Sequence, residues 1–251
     1  MQKIKGFLLF GIILLVIFSN LAVITASEIT AEEIMQKRDD NEYIRSARAE
    51  AKMIISKGGR ELEKDMILLS KDNSALMEFT NPRDRGTKFL KREDNLWMFF
   101  PDAEDIVKIS GHMLEQGLMG SDFSYQDMME SDKLTELYQF EILREETYQQ
   151  RPCYVIESIA VPDKEVSYYR RLMWIDKERF VGLKEELYAQ SGRLLKVGIV
   201  EKVEEIDGRW LSTESIMENK LRKDTFTQFI VEEIELNPDL DDDIFSLKSL
   251  R

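Results

Sequence analysis

The chain of 251 residues has one cysteine, Cys153, and one histidine, His112. A single cysteine excludes an internal disulfide, and a single histidine excludes a metal site built from several imidazoles. The sequence also has no Gly-x-Ser-x-Gly nucleophile motif, no glycine-rich phosphate loop and no Cys-x-x-Cys pair. A catalytic triad would have to use His112, which has no motif around it. We therefore predict a protein that is not an enzyme and that binds no cofactor or metal.

The environments of these two residues favour ordinary structural roles. Cys153 stands in the apolar stretch 153–156, which favours a buried, inert thiol over a reactive one. His112 is predicted to be a surface or packing histidine. The acids at Asp239 and at 241–243 could hold calcium, but they lack the glycine and the distal glutamate of an EF-hand loop. They are better explained as acids at the start of a helical turn.

Positive charge is scarce in this chain, which has 35 lysines and arginines against 48 acids and a net charge of −13. Nucleic acids and anionic membrane surfaces repel such a chain, so we predict no nucleic-acid partner. The hydrophobic content of 43% is that of a globular protein.

The first 26 residues have the pattern of a signal peptide. Lys3 and Lys5 precede an uncharged apolar run at 7–18, and small residues gather at 22–27. We predict cleavage after Ala26 or Ser27 and export to the periplasm, which would leave a mature chain with a net charge of −15. The alternative is an uncleaved inner-membrane anchor, because residues 7–26 are uncharged and could just span a bilayer.

The rest of the chain predicts one helix followed by many strands. Thr30 and Glu33 form a capping box, so residues 31 to about 40 should be helical. Gly58-Gly59 and Asp207-Gly208 are typical of hairpin turns, because these residues accept positive φ. Short runs rich in β-branched and aromatic residues alternate with such turns. The predicted strands are 52–56, 62–70, 74–79, 86–91, 95–100, 138–147, 152–159, 167–175, 181–189, 194–206, 210–217 and 226–236. Their short connections indicate a large curled antiparallel sheet or barrel.

One segment, at about 101–133, lacks this alternation of strands and turns. It is rich in methionine and is predicted to be a helical insert, with Ser124 and Asp127 capping a short helix. The insert could be a plug that is packed on the sheet. It could also be a mobile lid over an apolar cavity, because flexible thioethers suit variable apolar partners.

Four stretches of the chain resemble a known family. They are NPRDRGT at 81–87, LWMFFP at 96–101, MGSDFSYQDM at 119–128 and NPDLDDDIFSL at 237–247. Together they are similar to the LolA-like superfamily of periplasmic lipoprotein carriers, in the branch called outer-membrane lipoprotein-sorting proteins. The resemblance covers nearly all of residues 27–251, which we expect to be a single domain. It implies a mainly β fold with some α, namely a half-open curled antiparallel β-barrel whose concave apolar face is covered by helices.

The resemblance also implies a function in lipid or acyl-chain handling. Eight residues at alternate positions of predicted strands could line the ligand cavity, each pair sharing one face of the sheet. They are Met53, Ile55, Met66, Leu68, Met77, Phe79, Trp97 and Phe99. The same residues could instead be a packed core. The predicted function is a periplasmic carrier or binding protein for lipid or lipoprotein acyl chains, with an envelope membrane protein as a further partner. The alternative is an interaction or sensor protein that binds another envelope protein.

Overall fold

The fold is a single antiparallel sheet of thirteen strands, seen in a computed structural model that describes residues 29–130 and 133–251. The predicted signal peptide at 1–26 lies outside these residues. The strands are β1 (Ser46–Lys57), β2 (Arg60–Lys71), β3 (Ser74–Phe79), β4 (Lys88–Arg92), β5 (Asn95–Phe100), β6 (Asp105–Ile109), β7 (Tyr138–Tyr148), β8 (Arg151–Ala160), β9 (Arg170–Asp176), β10 (Gly182–Tyr188), β11 (Leu194–Ile206), β12 (Arg209–Asn219) and β13 (Thr225–Leu236).

The strand order is β6-β5-β4-β3-β2-β1-β13-β12-β11-β10-β9-β8-β7. Apart from β6 and β7, neighbours along the chain pair as antiparallel strands, and β1 pairs with β13 to bring the two halves together. The edge strands β6 and β7 do not pair with each other in the described residues, so the sheet is not closed. The prediction of a mainly β, half-open antiparallel fold is confirmed.

The predicted hairpin turns form where the backbone needs positive φ. Gly58 and Gly59 have φ of 56° and 75°, and Asp207 and Gly208 have φ of 50° and 78°. These are left-handed conformations that glycine and aspartate adopt more readily than most residues. The two turns determine the register of β1 with β2 and of β11 with β12.

Helix α1 (Ala31–Glu42) covers one face of the second half of the sheet. Its capping box forms as predicted, with the Thr30 side chain and the Glu33 carboxylate each accepting a backbone N–H at the helix start. Ile34 and Met35 are fully buried against the core that β7–β9 contribute. The short helix α3 (Leu134–Leu137) packs beside α1. We call the sheet face beneath α1 the inner face.

The C-terminal segment covers part of the opposite face, which we call the outer face. Two 3₁₀ turns, Asp242–Phe245 and Leu247–Leu250, bury Phe245 and Leu250 against β3 and β4. The side chain of Asp241 accepts the N–H of Asp243 at 3.0 Å, so the prediction that these acids begin a helical turn is confirmed.

The predicted helical insert at about 101–133 is largely not helical. Its first part contains β6, a short edge strand that pairs with β5. The remainder has two 3₁₀ turns, Gly111–Met113 and Leu118–Gly120, and one short helix, α2 (Tyr125–Met129). Gly111, Gly117 and Gly120 disfavour a longer helix, and two of them have positive φ. None of the helices in 29–130 and 133–251 is both long and apolar enough to cross a membrane.

Candidate ligand-binding face and its cover segment

The inner face of β1–β5 is largely apolar. The strand register places Met66 opposite Phe79 and Leu68 opposite Met77, and Phe89 lies next to Met77 on the following strand. Six of the eight predicted site residues belong to this surface and its core: Met53, Ile55, Met66, Leu68, Met77 and Phe79. Five of the six are buried, and Leu68 is half-buried. The structure adds Phe89, Leu96 and Met98, which the sequence did not single out.

The other two predicted residues, Trp97 and Phe99, lie on the outer face. Trp97 pairs with Leu90 in the ladder, and both pack with Phe99 and the C-terminal turns. The expectation that they line the same face as the other six is therefore wrong. The reason is the composition of β5, Asn-Leu-Trp-Met-Phe-Phe, which is apolar on both faces. Alternation alone could not show which half of its side chains points inward.

Residues 110–130, which we call the cover segment, lie on the apolar inner face of β1–β5. Its packed side chains are Met113, Leu114, Leu118, Met119, Phe123, Tyr125, Met128 and Met129. The Tyr125 ring lies 5.5 Å from that of Phe89, and the Phe123 ring lies 6.1 Å from that of Phe229. Among the described residues, every backbone–backbone hydrogen bond of the cover segment stays within the segment. Contacts that involve at least one side chain therefore hold it to the sheet.

Local interactions give the cover segment a defined shape of its own. Ser124 and Asp127 form the predicted capping box at the start of α2. The Leu118 N–H donates to the carbonyl of Phe123 at 2.7 Å, which closes a tight loop. Gly117 is required there, because a Cβ at this position would meet the carbonyl oxygen of Ser121 at 2.3 Å.

A buried carboxylate attaches the middle of the cover segment to β13. Asp122 is 3% exposed, and it accepts the hydroxyls of Thr225 and Thr227 at 3.0 and 2.9 Å. Its backbone N–H donates to the Thr227 hydroxyl oxygen at 2.9 Å. Hydrogen bonds of this kind satisfy a buried charge that would otherwise be costly.

A second attachment joins α2 to β11. Lys196, which is 8% exposed, places its ammonium 2.6 Å from the Asp127 carboxylate. The Tyr168 hydroxyl donates to the same carboxylate at 2.6 Å. Burial, together with this neighbouring negative charge, raises the pKa of Tyr168, so the phenol stays protonated and keeps donating.

A third attachment lies at the end of the cover segment. Arg171 of β9 is 5% exposed and pairs with Glu130, and it also approaches Glu185 of β10 at 3.4 Å. Burial by itself would lower the pKa of Arg171, but the two carboxylates and the hydrogen-bonded Tyr138 raise it, so the guanidinium stays charged.

Sequence reasoning missed all three sheet-side anchors, the Thr225–Thr227 pair, Lys196 and Arg171. Polar residues in strands are expected to face solvent. Only the Ser124–Asp127 cap signalled that polar groups of this segment have structural roles.

A cavity of about 190 Å³ lies between α1, the cover segment and β9–β12. Phe123, Met173 and Met217 contribute its apolar walls, and Arg38 and Glu42 of α1 close one side. The side chain of Glu42 is 42% exposed where it faces this space. Desolvation by the protein around it, as the largest effect, raises its pKa.

Cys153 and His112 do not come together. Cys153 is fully buried on the outer face of β8, where it packs with Val155 and Trp174, so the predicted buried thiol is confirmed. His112 is exposed at the start of the cover segment, so the predicted surface histidine is confirmed as well. Within 29–130 and 133–251, no group of three or more histidine, cysteine or acidic residues has the arrangement of a metal site.

Three proteins of known structure are similar to this chain over most of its length. A DUF1329 family protein from Desulfovibrio piger is 26% identical, with a TM-score of 0.81 over 88% of this chain and 98% of its own. A domain named as an outer membrane lipoprotein-sorting protein, from Vibrio parahaemolyticus, is 26% identical, with a TM-score of 0.78 over 88% and 97%. A LolA superfamily protein from Nitrosomonas europaea is 26% identical, with a TM-score of 0.73 over 88% and 100%.

Sequence comparison adds a family assignment. Curated proteins give no match to the chain. A family model that carries the description uncharacterized protein matches residues 71–251, which include the cover segment and most of the sheet. The chain therefore belongs to the family of that model and to the LolA-like superfamily.

Proposed function

We propose that this protein is an exported carrier or binding protein for lipid or lipoprotein acyl chains, acting in the periplasm after removal of residues 1–26. Two similar structures support the proposal through their names, a lipoprotein-sorting domain and a LolA superfamily protein. The LolA-like fold is a carrier or binding fold, which fits the separation of Cys153 from His112 on this chain.

The observation that carries the proposal is the apolar inner face beneath a segment that makes no backbone–backbone hydrogen bond to the sheet. Methionines recur on both sides of this contact, with Met53, Met66 and Met77 on the sheet and Met119 and Met128 on the cover segment. Unbranched thioethers adapt to ligands of variable shape. Burial of an acyl chain on such a surface contributes about 0.8 kcal/mol of binding free energy per methylene. An acyl chain could therefore replace the contacts that the cover segment makes.

The size of the cavity beside α1 indicates how a ligand would reach the inner face. Pockets for small ligands usually have volumes of about 300–1,000 Å³, whereas the cavity beside α1 has about 190 Å³. An acyl chain would therefore bind by displacing the cover segment from the inner face. The segment then acts as a lid as well as a plug, which combines the two interpretations that the sequence left open.

The proposal is tested by identifying what the protein carries. The full-length chain is expressed with its own N-terminal segment and purified from the envelope without detergent, and its extract is analysed by mass spectrometry. We expect lipid or an acylated protein at close to one equivalent per chain. A stoichiometric protein partner without lipid would contradict the proposal and would favour the interaction or sensor protein instead.

A matched pair of variants tests where the ligand lies. Met77 and Leu76 are adjacent on β3, 8% and 7% exposed, and they face the inner and outer core respectively. Met77→Gln and Leu76→Gln each place an amide in an apolar site, so both should destabilise the fold by about 1–3 kcal/mol. We expect only Met77→Gln to reduce the amount of bound lipid. Equal loss of lipid in the two variants would mean that stability, and not the inner face, controls binding.

A further inference from the structure

An open groove lies at the tip of the β1–β2 hairpin, next to the cover segment. Its volume is about 610 Å³, within the range of about 300–1,000 Å³ that is common for ligand pockets. Ile55, Leu62 and Met119 form an apolar floor. The remaining side chains that line it are those of Lys57, Arg60, Glu61 and Arg83.

The floor of the groove is continuous with the inner face. Ile55 is 6% exposed and belongs to the same core as Met53 and Met66, and Leu62 lies opposite Ile55 in the ladder. Met119, at the tip of the cover segment, packs against that core from above. An acyl chain that displaced the cover segment from the inner face would emerge at this groove.

The groove is positively charged, in contrast to the molecule as a whole. Lys57, Arg60 and Arg83 are exposed, and none of the three forms an ion pair with a described residue. Glu61 is the one acid among the described residues that line the groove.

The loops around the groove extend this positive region. A hydrogen bond from the Gly58 N–H to the Asp224 carbonyl joins the β1–β2 hairpin to the β12–β13 turn. Residues 57–61, 80–87 and 220–224 together contain seven lysines and arginines and three acids, a net charge of +4 in a chain of net charge −13. The overall acidity, which predicts repulsion of anions, does not describe this end of the sheet.

We propose that this groove binds the anionic head group of an amphiphile, a phosphate or a carboxylate, whose acyl chain runs beneath Met119 onto the inner face. Arg60 and Arg83 provide planar donor groups that match the oxygens of either head group. The inference rests on the proposed carrier function and adds the charge of the ligand to it.

The experiment compares two amphiphiles with the same twelve-carbon chain, dodecyl phosphate and dodecyl maltoside, titrated calorimetrically below the concentrations at which they form micelles. The full-length chain, expressed with its own N-terminal segment, should bind the phosphate about tenfold more tightly, as expected for two arginines beside an anionic head. The double variant Arg60→Gln/Arg83→Gln should bind dodecyl phosphate about tenfold more weakly and dodecyl maltoside unchanged.

Two controls make the result specific. Arg92→Gln/Lys248→Gln removes the same charge at exposed positions outside the groove and should leave both affinities unchanged. Inorganic phosphate should bind far more weakly than dodecyl phosphate, because it has no chain to bury. Equal affinity for inorganic phosphate and dodecyl phosphate would overturn the inference, since it would indicate a simple phosphate site.

The remaining outcomes separate this inference from the proposed function. If both amphiphiles bind equally in every variant, the head-group site is wrong and the carrier function stands. If neither amphiphile binds, both are wrong.

Discussion

At the scale of single residues, the buried ion pair of Lys64 and Asp84 supports the inner face. Lys64 is 3% exposed, with its ammonium 2.6 Å from the Asp84 carboxylate and 5.7 Å from the centre of the Phe79 ring. Asn81 donates a further hydrogen bond to Asp84 at 2.8 Å. Burial alone would raise the pKa of Asp84, but the hydrogen bonds from Lys64 and Asn81 lower it overall.

Replacing Asp84 by Asn should therefore be strongly destabilising. The substitution leaves the Lys64 ammonium buried without its counter-ion, which we expect to cost about 3 kcal/mol of unfolding free energy. Urea unfolding at pH 7 measures the loss. The control is Asp94→Asn, an exposed carboxylate without an ion pair among the described residues, which should change stability by less than about 0.5 kcal/mol.

The same pair predicts a pH dependence. The folded-state pKa of Asp84 is depressed, so its contribution is complete above the unfolded-state pKa of about 4 and disappears as pH falls through the folded-state pKa. Wild type and Asp84→Asn should therefore converge in stability at low pH. A constant difference from pH 7 to pH 2 would contradict this role for the carboxylate.

The thiol of Cys153 should be unreactive in the folded protein. Burial, as the largest effect, raises its pKa to about 11, and the thiolate is the reactive form. At pH 8 we expect no measurable reaction with a chromogenic disulfide reagent over the time in which urea-unfolded protein reacts completely. Rapid labelling of the folded protein would show that β8 opens readily.

At the scale of elements, the sequence predicts most of the strands. It does not predict which side chains of β5 point to the inner face, or the path of the insert. Twelve of the thirteen strands are predicted, because turns separate them and many of these turns have glycine or aspartate at positive φ. β6 is not predicted, since it lies within the segment that the sequence assigns to a helical insert. β5 is apolar on both faces, so Trp97 and Phe99 were placed on the wrong side. The cover segment has no periodic pattern, because its shape comes from contacts with distant residues such as Lys196 and Thr227.

The attachment of α2 to β11 predicts how the cover segment opens. Asp127→Asn removes the charge that pairs with the buried Lys196, at an expected cost of about 3 kcal/mol. Because the cover segment makes no backbone ladder with the sheet, this loss should appear mainly as local opening. Cleavage within residues 110–130 by a protease at low concentration should become at least about tenfold faster.

The control for this variant is Asp163→Asn, which changes an exposed carboxylate without an ion pair among the described residues and should leave cleavage unchanged. Equal cleavage in Asp127→Asn and wild type would show that the ion pair does not hold the segment.

At the scale of the whole molecule, the two faces of the sheet have different covers. The C-terminal turns cover the outer face of β3–β5 with Phe245 and Leu250, in a core that includes Trp97. The cover segment lies over the inner face and is attached to the sheet at three points, Asp122, Asp127 and Glu130. This asymmetry predicts that an acyl chain reaches one face only.

Photo-crosslinking with a diazirine-bearing fatty acid, followed by peptide mapping, tests this claim most directly. The account predicts labels on inner-face and cover residues such as Met66, Met77 and Met128, and none on Leu90 or Trp97 of the outer face. An excess of unlabelled fatty acid should suppress the labels. Labels on the outer face, or labels that unlabelled fatty acid does not suppress, would contradict the account.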